Sequence, residues 1–271
     1  MPGAEAFSSD ESDLDLVRDA AAEAGRIALR YFRKDPDVWM KGGNSPVSEA
    51  DISVDRFLRR TLGGARPDYG WLSEETAGHE RRGAHRTFVV DPIDGTRGFI
   101  EGRSTWCVSV AVVEGGRAVA GVLDCPAKNE IYWARRGAGA FLNGRAIAVR
   151  KAGPTPMVGG PKPLIDAVAE PLRATLKRTP YVPSLAYRIA LIASGQLDAT
   201  FVKPNSHDWD LAAVDLVLTE AGGEVLDENG DRPIYAGPSP RHGALVAGSG
   251  PLLAGLARAI AAGAPESAGT R

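Results

Sequence analysis

Cysteine is scarce in this sequence, with only Cys107 and Cys125 in 271 residues. Two cysteines cannot supply the disulfide framework of a secreted scaffold, so they indicate a protein of a reducing compartment. A formal net charge of −2 leaves no basic excess, which disfavours nucleic acid or an anionic membrane as a partner. The sequence also has no basic segment with interspersed aromatic residues, which a nuclease would use to bind nucleic acid, so a two-metal nuclease is disfavoured.

Long hydrophobic runs are missing as well. The longest apolar region, residues 244–264, is interrupted by Ser249, Pro251 and Arg258 and predicts no membrane span. Residues 1–15 are acidic and lack the apolar core of a secretory signal. These absences predict a cytoplasmic protein. What remains is an ordinary globular composition, with 44% hydrophobic and 24% charged residues.

The first half of the chain predicts two helices followed by strands. Residues 1–11 are expected to be frayed, and an apparent capping box at residues 12–15 opens a helix that continues to Phe32. A loop at residues 41–46 and a helix at residues 49–62 come next. Four strands are then predicted, over residues 87–90, 108–113, 118–123 and 131–134.

Glycine and proline crowd residues 150–163, which predicts a linker into a second subdomain. Helices are expected at residues 164–176, 185–194 and 210–221, with a strand at 198–202 and a frayed tail after Ala262. We therefore expect an N-terminal α+β subdomain over residues 1–150 and a C-terminal α/β subdomain over residues 151–271. Consecutive strands between helices favour an α+β fold of layered helices and sheets over a regular βαβ array.

An acidic motif ends the first predicted strand. Residues 89–96 read Val-Val-Asp-Pro-Ile-Asp-Gly-Thr, so an apolar strand delivers Asp91 and Asp94 close together, and Pro92 prevents a ladder hydrogen bond between them. These carboxylates and the Ile93 carbonyl can converge as hard oxygen ligands, which suit Mg²⁺ or Mn²⁺ rather than Zn²⁺. The alternative is an ordinary turn in which both aspartates cap backbone groups.

Other residues could complete this site. Gly95 and Thr96 stand where a helix could start, so their N–H groups could hold a phosphate. Glu74 follows an apolar Trp-Leu pair shortly before the motif. Asp210 opens one apolar helix and Asp51 lies in the first turn of another, where the helix dipole stabilises a carboxylate. Taken singly, Glu74 is explained as solvated surface and the two aspartates as helix N-terminal acids.

Taken together, these segments resemble the inositol monophosphatase family. The matching segments occur in the family's order, at residues 45–51, 73–75, 91–96, 137–144, 209–210 and 220–223. The resemblance covers roughly residues 14–250 and implies a layered αβαβα sandwich of the inositol monophosphatase and fructose-bisphosphatase type. It also implies a homodimer that hydrolyses small phosphate esters with Mg²⁺, accepts Mn²⁺ as a substitute and is inhibited by Li⁺.

The resemblance further implies a role for each acidic residue. The metal ligands would be four carboxylates and one carbonyl, from Glu74, Asp91, Asp94, Asp210 and Ile93. Two or three ions would share them. Asp51 and Thr96 would orient and deprotonate the attacking water, with Glu74 as the third catalytic residue.

Substrate contacts are predicted at seven positions: Gly95, Thr96, Arg97, Ser184, Lys203, His207 and Asp210. Lys203 stands where inositol phosphatases place a glutamate, which favours a second anionic group on the substrate. Ser184 lies in a segment similar to adenosine bisphosphate nucleotidases, whereas residues 94–99 are more similar to bacterial members that include histidinol-phosphate phosphatases. A generic inositol-phosphatase-like enzyme ranks first, then a 3′-phosphoadenosine 5′-phosphate phosphatase, then a histidinol-phosphate or sugar-phosphate phosphatase.

A non-catalytic binding or regulatory protein on the same fold is the alternative from another class. Such a protein has no need to keep Asp51 and Thr96 together with all the metal carboxylates, and this sequence has the full set. The predicted partner is therefore a small phosphate ester, with neither nucleic acid nor a membrane.

Overall fold

The computed structural model describes residues 9–41, 45–76 and 83–263, which form two main β-sheets and a hairpin packed with helices. The helices are α1 (Ser9–Leu29), α2 (Glu49–Ala65), α3 (Thr96–Ile100), α4 (Lys162–Asp166), α5 (Leu172–Thr175), α6 (Leu185–Ala193), α7 (Asp208–Glu220) and α8 (Gly250–Gly263). The strands are β1 (Val38–Lys41), β2 (Ser45–Ser48), β3 (Gly70–Ser73), β4 (Arg86–Asp94), β5 (Cys107–Glu114), β6 (Arg117–Cys125), β7 (Glu130–Arg135), β8 (Ala140–Leu142), β9 (Arg145–Ile147), β10 (Met157–Gly159), β11 (Lys177–Arg178), β12 (Ala199–Val202), β13 (Glu224–Leu226) and β14 (Leu245–Gly248).

The larger sheet has seven strands in the order β3-β4-β5-β6-β7-β8-β9. Its first pair, β3 and β4, is parallel, and the other neighbours are antiparallel. The central strands are apolar on both sides because helices cover both faces. Phe88 and Val90 of β4 pack on the side of α1 and α2, whereas Val89 between them packs on the side of α6 and α7.

The smaller sheet has five strands in the order β11-β10-β12-β14-β13, and β10 is parallel to both of its neighbours. Val202 and Leu245 pack toward α6 and α7, whereas Phe201 and Val246 pack against α8 on the other face. The layers are therefore α1 with α2, the larger sheet, α6 with α7, the smaller sheet, and α8. This arrangement confirms the predicted α+β fold with αβαβα layering.

The start of α1 differs from the prediction. The helix begins at Ser9, before the predicted capping box, so residues 9–11 are helical rather than frayed. Asp13 does not cap the helix but is 1% exposed, and Arg66 Nε and Arg86 Nη1 donate to its carboxylate at 2.9 and 2.6 Å. Arg86 also donates to Ser9 Oγ and Asp10 Oδ1. These long-range ion pairs anchor the first turn, and no local pattern reveals them.

Three loop and linker predictions also need correction. The predicted loop at residues 41–46 lies partly in the β1–β2 hairpin, and its residues 42–44 fall outside the described residues. The predicted linker at residues 150–163 contains β10, an interior strand of the smaller sheet. The single helix predicted at residues 164–176 is two short helices, α4 and α5, because Pro171 between them has no N–H to continue a helical ladder.

The last element of the described residues is α8, which reaches Gly263, and the rest of the predicted frayed tail lies outside them. The division of the chain at residue 150 stays a prediction, because the core between the sheets draws apolar residues from both halves, such as Val89 and Leu211. Among the helices that the structure describes, none is both long and apolar enough to cross a bilayer.

Candidate active site

A cavity of about 870 Å³ opens between the two sheets. It draws its lining from the end of β4, the start of α3, the end of β12 and the first turn of α7. Nine of the residues predicted for the site line it: Glu74, Asp91, Ile93, Asp94, Gly95, Thr96, Arg97, Lys203 and Asp210.

The end of β4 positions two of the carboxylates. Pairing of β4 with β5 is regular as far as Asp91 and then shifts register before Asp94. Pro92 lies in the irregular stretch, as expected for a residue that cannot donate to the ladder. Asp91 Oδ1 accepts the Ile93 N–H at 3.0 Å, so the turn in which an aspartate caps a backbone group is present as well. Both aspartates are nevertheless buried, at 1% and 6% exposure, and face the cavity.

The third carboxylate comes from α7. Asp210 is in the first turn of the helix, and its Oδ2 accepts the His207 N–H at 2.7 Å. At the other end of α7, Glu220 accepts the N–H groups of Gly137 and Gly139, each at 2.8 Å. The first hydrogen bond closes the N-terminal turn of the helix, and the contacts of Glu220 join its other end to the turn between β7 and β8.

Asp91, Asp94 and Asp210 each offer a carboxylate oxygen, and these oxygens lie within 4.8 Å of one another. Burial raises the pKa of Asp91, and the charges of Glu74, Asp94 and Asp210 raise it further. Burial and the charge of Asp94 raise the pKa of Asp210 to about 7. Carboxylates held this close repel one another, and a divalent cation with a preference for oxygen ligands would relieve that repulsion. The residues therefore fit a Mg²⁺ or Mn²⁺ ion.

Asp94 is supported from α6. Its Oδ2 accepts the hydroxyl of Ser184 and the Ala186 N–H at 2.7 Å, and its Oδ1 accepts the Leu185 N–H at 3.3 Å. Burial raises the pKa of Asp94, and these donors lower it. The first turn of α6 therefore fixes the carboxylate and favours its ionised form.

Glu74 lies at the edge of the carboxylate cluster. It follows β3, its N–H donates to the Val90 carbonyl at 3.3 Å, and its side chain is half-buried in the cavity wall. It does not join the group of three oxygens within 4.8 Å, although its charge acts on Asp91.

Asp51 and Thr96 meet beside this cluster. The Thr96 hydroxyl lies 3.1 Å from Asp51 Oδ1 and 3.0 Å from the Ile93 carbonyl oxygen. Asp51 is 1% exposed, and its Oδ2 accepts both the N–H and the hydroxyl of Ser48. Burial raises the pKa of Asp51 to about 6, against the lowering effect of the Ser48 hydrogen bonds. Asp51 can therefore exchange a proton near neutral pH.

The remaining predicted substrate residues fall into two groups. Gly95, Arg97 and Lys203 line the cavity. Gly95 has φ +94°, and a Cβ there would lie 3.0 Å from the Ser184 side chain, so the position requires glycine on both counts. Ser184 is fully buried behind Asp94. His207 stacks on Trp209 with ring centroids 4.5 Å apart and is not part of the cavity wall. Direct substrate contacts by Ser184 and His207 stay predictions that this placement does not favour.

Two charged residues of the cavity wall were missed by sequence reasoning. Arg188 is the one charged residue of α6, whose sequence is otherwise apolar apart from Tyr187, and Arg178 ends β11. Both line the cavity. A single arginine in an apolar helix was the signal that could have identified Arg188.

Comparison with known proteins agrees with this geometry. The model of the inositol monophosphatase family matches residues 10–264. An inositol-1-monophosphatase from Rhizobium meliloti is 36% identical over 248 residues, covering 83% of this chain and 89% of the relative. A histidinol-phosphatase from Mycobacterium tuberculosis is 33% identical over 262 residues, covering 91% and 96%. A Streptomyces griseus relative named glucose-1-phosphate thymidylyltransferase is 32% identical, so the relatives' names do not agree on one substrate.

A solved structure shows the same architecture. The extragenic suppressor protein suhB from Bartonella henselae superposes with a TM-score of 0.80 at 29% identity, covering 93% of this chain and 100% of that one. The match of the family model extends over nearly the whole chain and includes every residue of the carboxylate cluster. The chain belongs to the inositol monophosphatase family.

Proposed function

We propose that the protein is a Mg²⁺-dependent phosphomonoester hydrolase of the inositol-monophosphatase type. The observation that carries this proposal is the juxtaposition of two groups at one cavity. Carboxylate oxygens of Asp91, Asp94 and Asp210 lie within 4.8 Å of one another, and Thr96, which lines the same cavity, is hydrogen-bonded to the buried Asp51. The first group suits hard cations, and the second suits a water nucleophile.

Mg²⁺ bound at this cluster would neutralise the phosphate oxygens, acidify a water and stabilise the leaving alkoxide. The ligands would be the three clustered aspartates, with Glu74 and the Ile93 carbonyl at the margin. The N–H groups of the first turn of α6 fix the Asp94 carboxylate and lower its pKa against the raising effect of burial, which favours its use as a cation ligand. Mn²⁺ would be accepted for the same reason of ligand type.

Asp51 and Thr96 would handle the attacking water. The Thr96 hydroxyl would orient the water, because it is fixed between Asp51 and the Ile93 carbonyl. Asp51 would take the proton, since with a pKa of about 6 it is mostly ionised at neutral pH yet accepts a proton readily. The N–H groups of Gly95 and Thr96, with Arg97, would hold the phosphate.

Phosphate release tests the reaction class. The panel would contain inositol 1-phosphate, 3′-phosphoadenosine 5′-phosphate, histidinol phosphate and fructose 1,6-bisphosphate, each with Mg²⁺, with EDTA, and with Mg²⁺ plus Li⁺. We expect turnover only with Mg²⁺ and inhibition by Li⁺. A folded protein that binds Mg²⁺ but hydrolyses no ester would instead favour the non-catalytic binding protein.

Two variants separate the chemical step from metal binding. Asp51→Asn should lower turnover by about 10²–10⁴-fold, because it removes the general base, while Mg²⁺ still raises the melting temperature. Asp94→Asn should lose both turnover and the Mg²⁺ effect. Asp15→Asn, at an exposed position of α1, is the matched control and should change neither. Full activity of Asp94→Asn would overturn the metal assignment.

Location and assembly are part of the same proposal. The two cysteines are free and buried, which supports a cytoplasmic enzyme. The resemblance supports a homodimer, which light scattering of the purified protein would test as a mass near twice 28.5 kDa.

A further inference from the structure

One side of the active-site cavity carries positive charge. Arg178 ends β11, Arg188 projects from α6, and Lys203 directly follows β12, and all three line the cavity. The strands β11, β10 and β12 are parallel neighbours, so their carboxyl ends meet at one edge of the smaller sheet. The crevice outside the carboxyl ends of parallel strands is a common place for ligands.

Arg188 is desolvated without a dedicated acidic partner. Its guanidinium donates to Thr200 Oγ1 at 2.9 Å and to the carbonyls of Val182 and Phe201 at 3.3 and 3.4 Å, all of them neutral acceptors. Burial lowers the pKa of Arg188, and the charge of Asp94 is the main opposing influence. Because Asp94 belongs to the proposed metal cluster, a bound cation would compete for its charge. A buried guanidinium in that position favours an additional anion.

The backbone makes room for this arginine. A Cβ on Gly159 would lie 3.1 Å from Arg188 Cδ and 3.0 Å from Thr200 Oγ1, so a side chain there would displace the guanidinium stem. Gly159 has an ordinary strand conformation, and its small size rather than a special φ is what the site uses.

Arg178 and Lys203 are exposed, and the side chain of neither forms a hydrogen bond or an ion pair with another described residue. The charge of Arg178 lowers the pKa of Asp166, and the charge of Lys203 lowers that of Asp210. Asp166 is itself paired with Lys162 at 2.5 Å. The two side chains therefore stand at the cavity with their donors available.

We propose that Arg178, Arg188 and Lys203 form a subsite for a second anionic group, so that the preferred substrate is a phosphomonoester that also carries a phosphate or a carboxylate. The proposal rests on the proposed phosphatase function and names its substrate class. The carboxylate cluster would receive the phosphate to be cleaved, and the three cations would bind the other anion by charge-assisted hydrogen bonds.

Matched pairs of substrates test this specificity. Fructose 1-phosphate and fructose 1,6-bisphosphate differ by a second phosphate, whereas glycerol 2-phosphate and 2-phosphoglycerate differ by a carboxylate. We expect kcat/KM to favour the member with two anionic groups in at least one pair, and the favoured pair identifies the anion. Arg178→Gln and Lys203→Gln should each reduce that preference by about tenfold, and Arg178→Gln should leave hydrolysis of the single-anion ester within about twofold.

Arg145→Gln is the matched control, because it removes the same charge from an exposed position of β9 outside the cavity. It should leave both preferences unchanged. The proposal is overturned if single-anion esters are hydrolysed and neither cavity variant alters the ratio.

A binding measurement keeps the two proposals separable. The Asp51→Asn protein with Mg²⁺ would be titrated calorimetrically with fructose 1,6-bisphosphate and with fructose 1-phosphate, in the presence and absence of Arg178→Gln. Tighter binding of the bisphosphate that Arg178→Gln abolishes would support the subsite even if the wild-type protein released no phosphate from any ester. Equal binding of these two ligands, together with equal binding of glycerol 2-phosphate and 2-phosphoglycerate, would refute the subsite and leave the phosphatase proposal untouched.

Discussion

Asp91→Asn should stabilise the metal-free protein while removing its response to Mg²⁺. Burial and three neighbouring carboxylates raise the pKa of Asp91, so its negative charge opposes folding when no cation is present. At a separation of 4.8 Å and an effective dielectric constant of about 20, two full charges repel by about 3.5 kcal/mol. Because shared protons reduce this repulsion, we expect a gain of about 2–3 kcal/mol in the free energy of unfolding at pH 8.

The gain should depend on pH in a defined direction. The pKa of Asp91 in the folded protein lies above its value in the unfolded chain, so the folded protein holds more protons above about pH 4. Stability from this group is therefore lost as the pH rises. The advantage of Asp91→Asn, measured by urea unfolding in EDTA, should be larger at pH 8 than at pH 5. The asparagine oxygen can still accept the Ile93 N–H, so the local turn is kept.

Asp13→Asn is the matched control, because Asp13 is also 1% exposed. Its carboxylate accepts hydrogen bonds from Arg66, Tyr69 and Arg86, so the same substitution removes attraction instead of repulsion. It should destabilise the protein by about 3–5 kcal/mol, and Mg²⁺ should still stabilise what remains folded.

The Mg²⁺ response completes the assay. A cation at one hundred times its dissociation constant should stabilise the wild-type protein by about 2.7 kcal/mol, and Asp91→Asn should show almost none of this increment. If Asp91→Asn instead lowers stability in EDTA, or keeps the full increment, Asp91 is a turn residue and the metal-site reasoning fails.

Three further predictions concern the framework of the site. Burial raises the pKa of Asp124 to about 7, so the charge of this group opposes folding increasingly from about pH 4 to 7. Asp124→Asn should therefore raise the free energy of unfolding, measured in urea at pH 8, by about 1–3 kcal/mol over wild type. The gain should be much smaller at pH 5. Gly25→Ala should lower the free energy of unfolding by about 2 kcal/mol or more, because its Cβ would lie 1.8 Å from Asp124 Oδ2. Gly63→Ala in α2 meets nothing within 4 Å and should raise the free energy of unfolding by up to about 1 kcal/mol. A loss of stability in both variants would contradict the packing argument. Ser184→Ala should lower the free energy of unfolding by about 1–3 kcal/mol, because its hydroxyl donates to Asp94 and caps α6 by accepting the Tyr187 N–H. An unchanged urea midpoint would show that neither contact contributes to stability.

The sequence was informative where one short segment carries its own chemistry. In residues 89–96, an apolar run, a proline and two aspartates predict a strand that ends in oxygen ligands, and the structure places Asp91 and Asp94 at the end of that strand with carboxylate oxygens within 4.8 Å of a carboxylate oxygen of Asp210. The αβαβα layering followed from the resemblance and from strands placed between helices. Periodicity then located α2, α6 and α7 to within a few residues.

What the sequence could not predict are contacts that join distant segments. The hydroxyl of Ser184 reaches Asp94 across 90 positions, and Arg86 reaches Asp13 across 73. Neither pairing has a local signature, because each residue is individually explained as a cap or a surface charge. Lys203 was predicted to face a second anionic group, but the two arginines on the same side of the cavity were missed, since β10 lies in the predicted linker and Arg188 in a predicted helix to which no function was given.

The attachment of helix α7 to the turn between β7 and β8 has a mechanical consequence. It is 13 residues long, or about 20 Å, with Asp210 near one end and Glu220 bound to the Gly137–Gly139 turn at the other. Because a helix is stiff, a small shift of that turn would move Asp210 relative to Asp91 and Asp94. The alignment of the carboxylate cluster therefore depends partly on the turn between β7 and β8, and a molecule bound at that turn would change the site without entering the cavity.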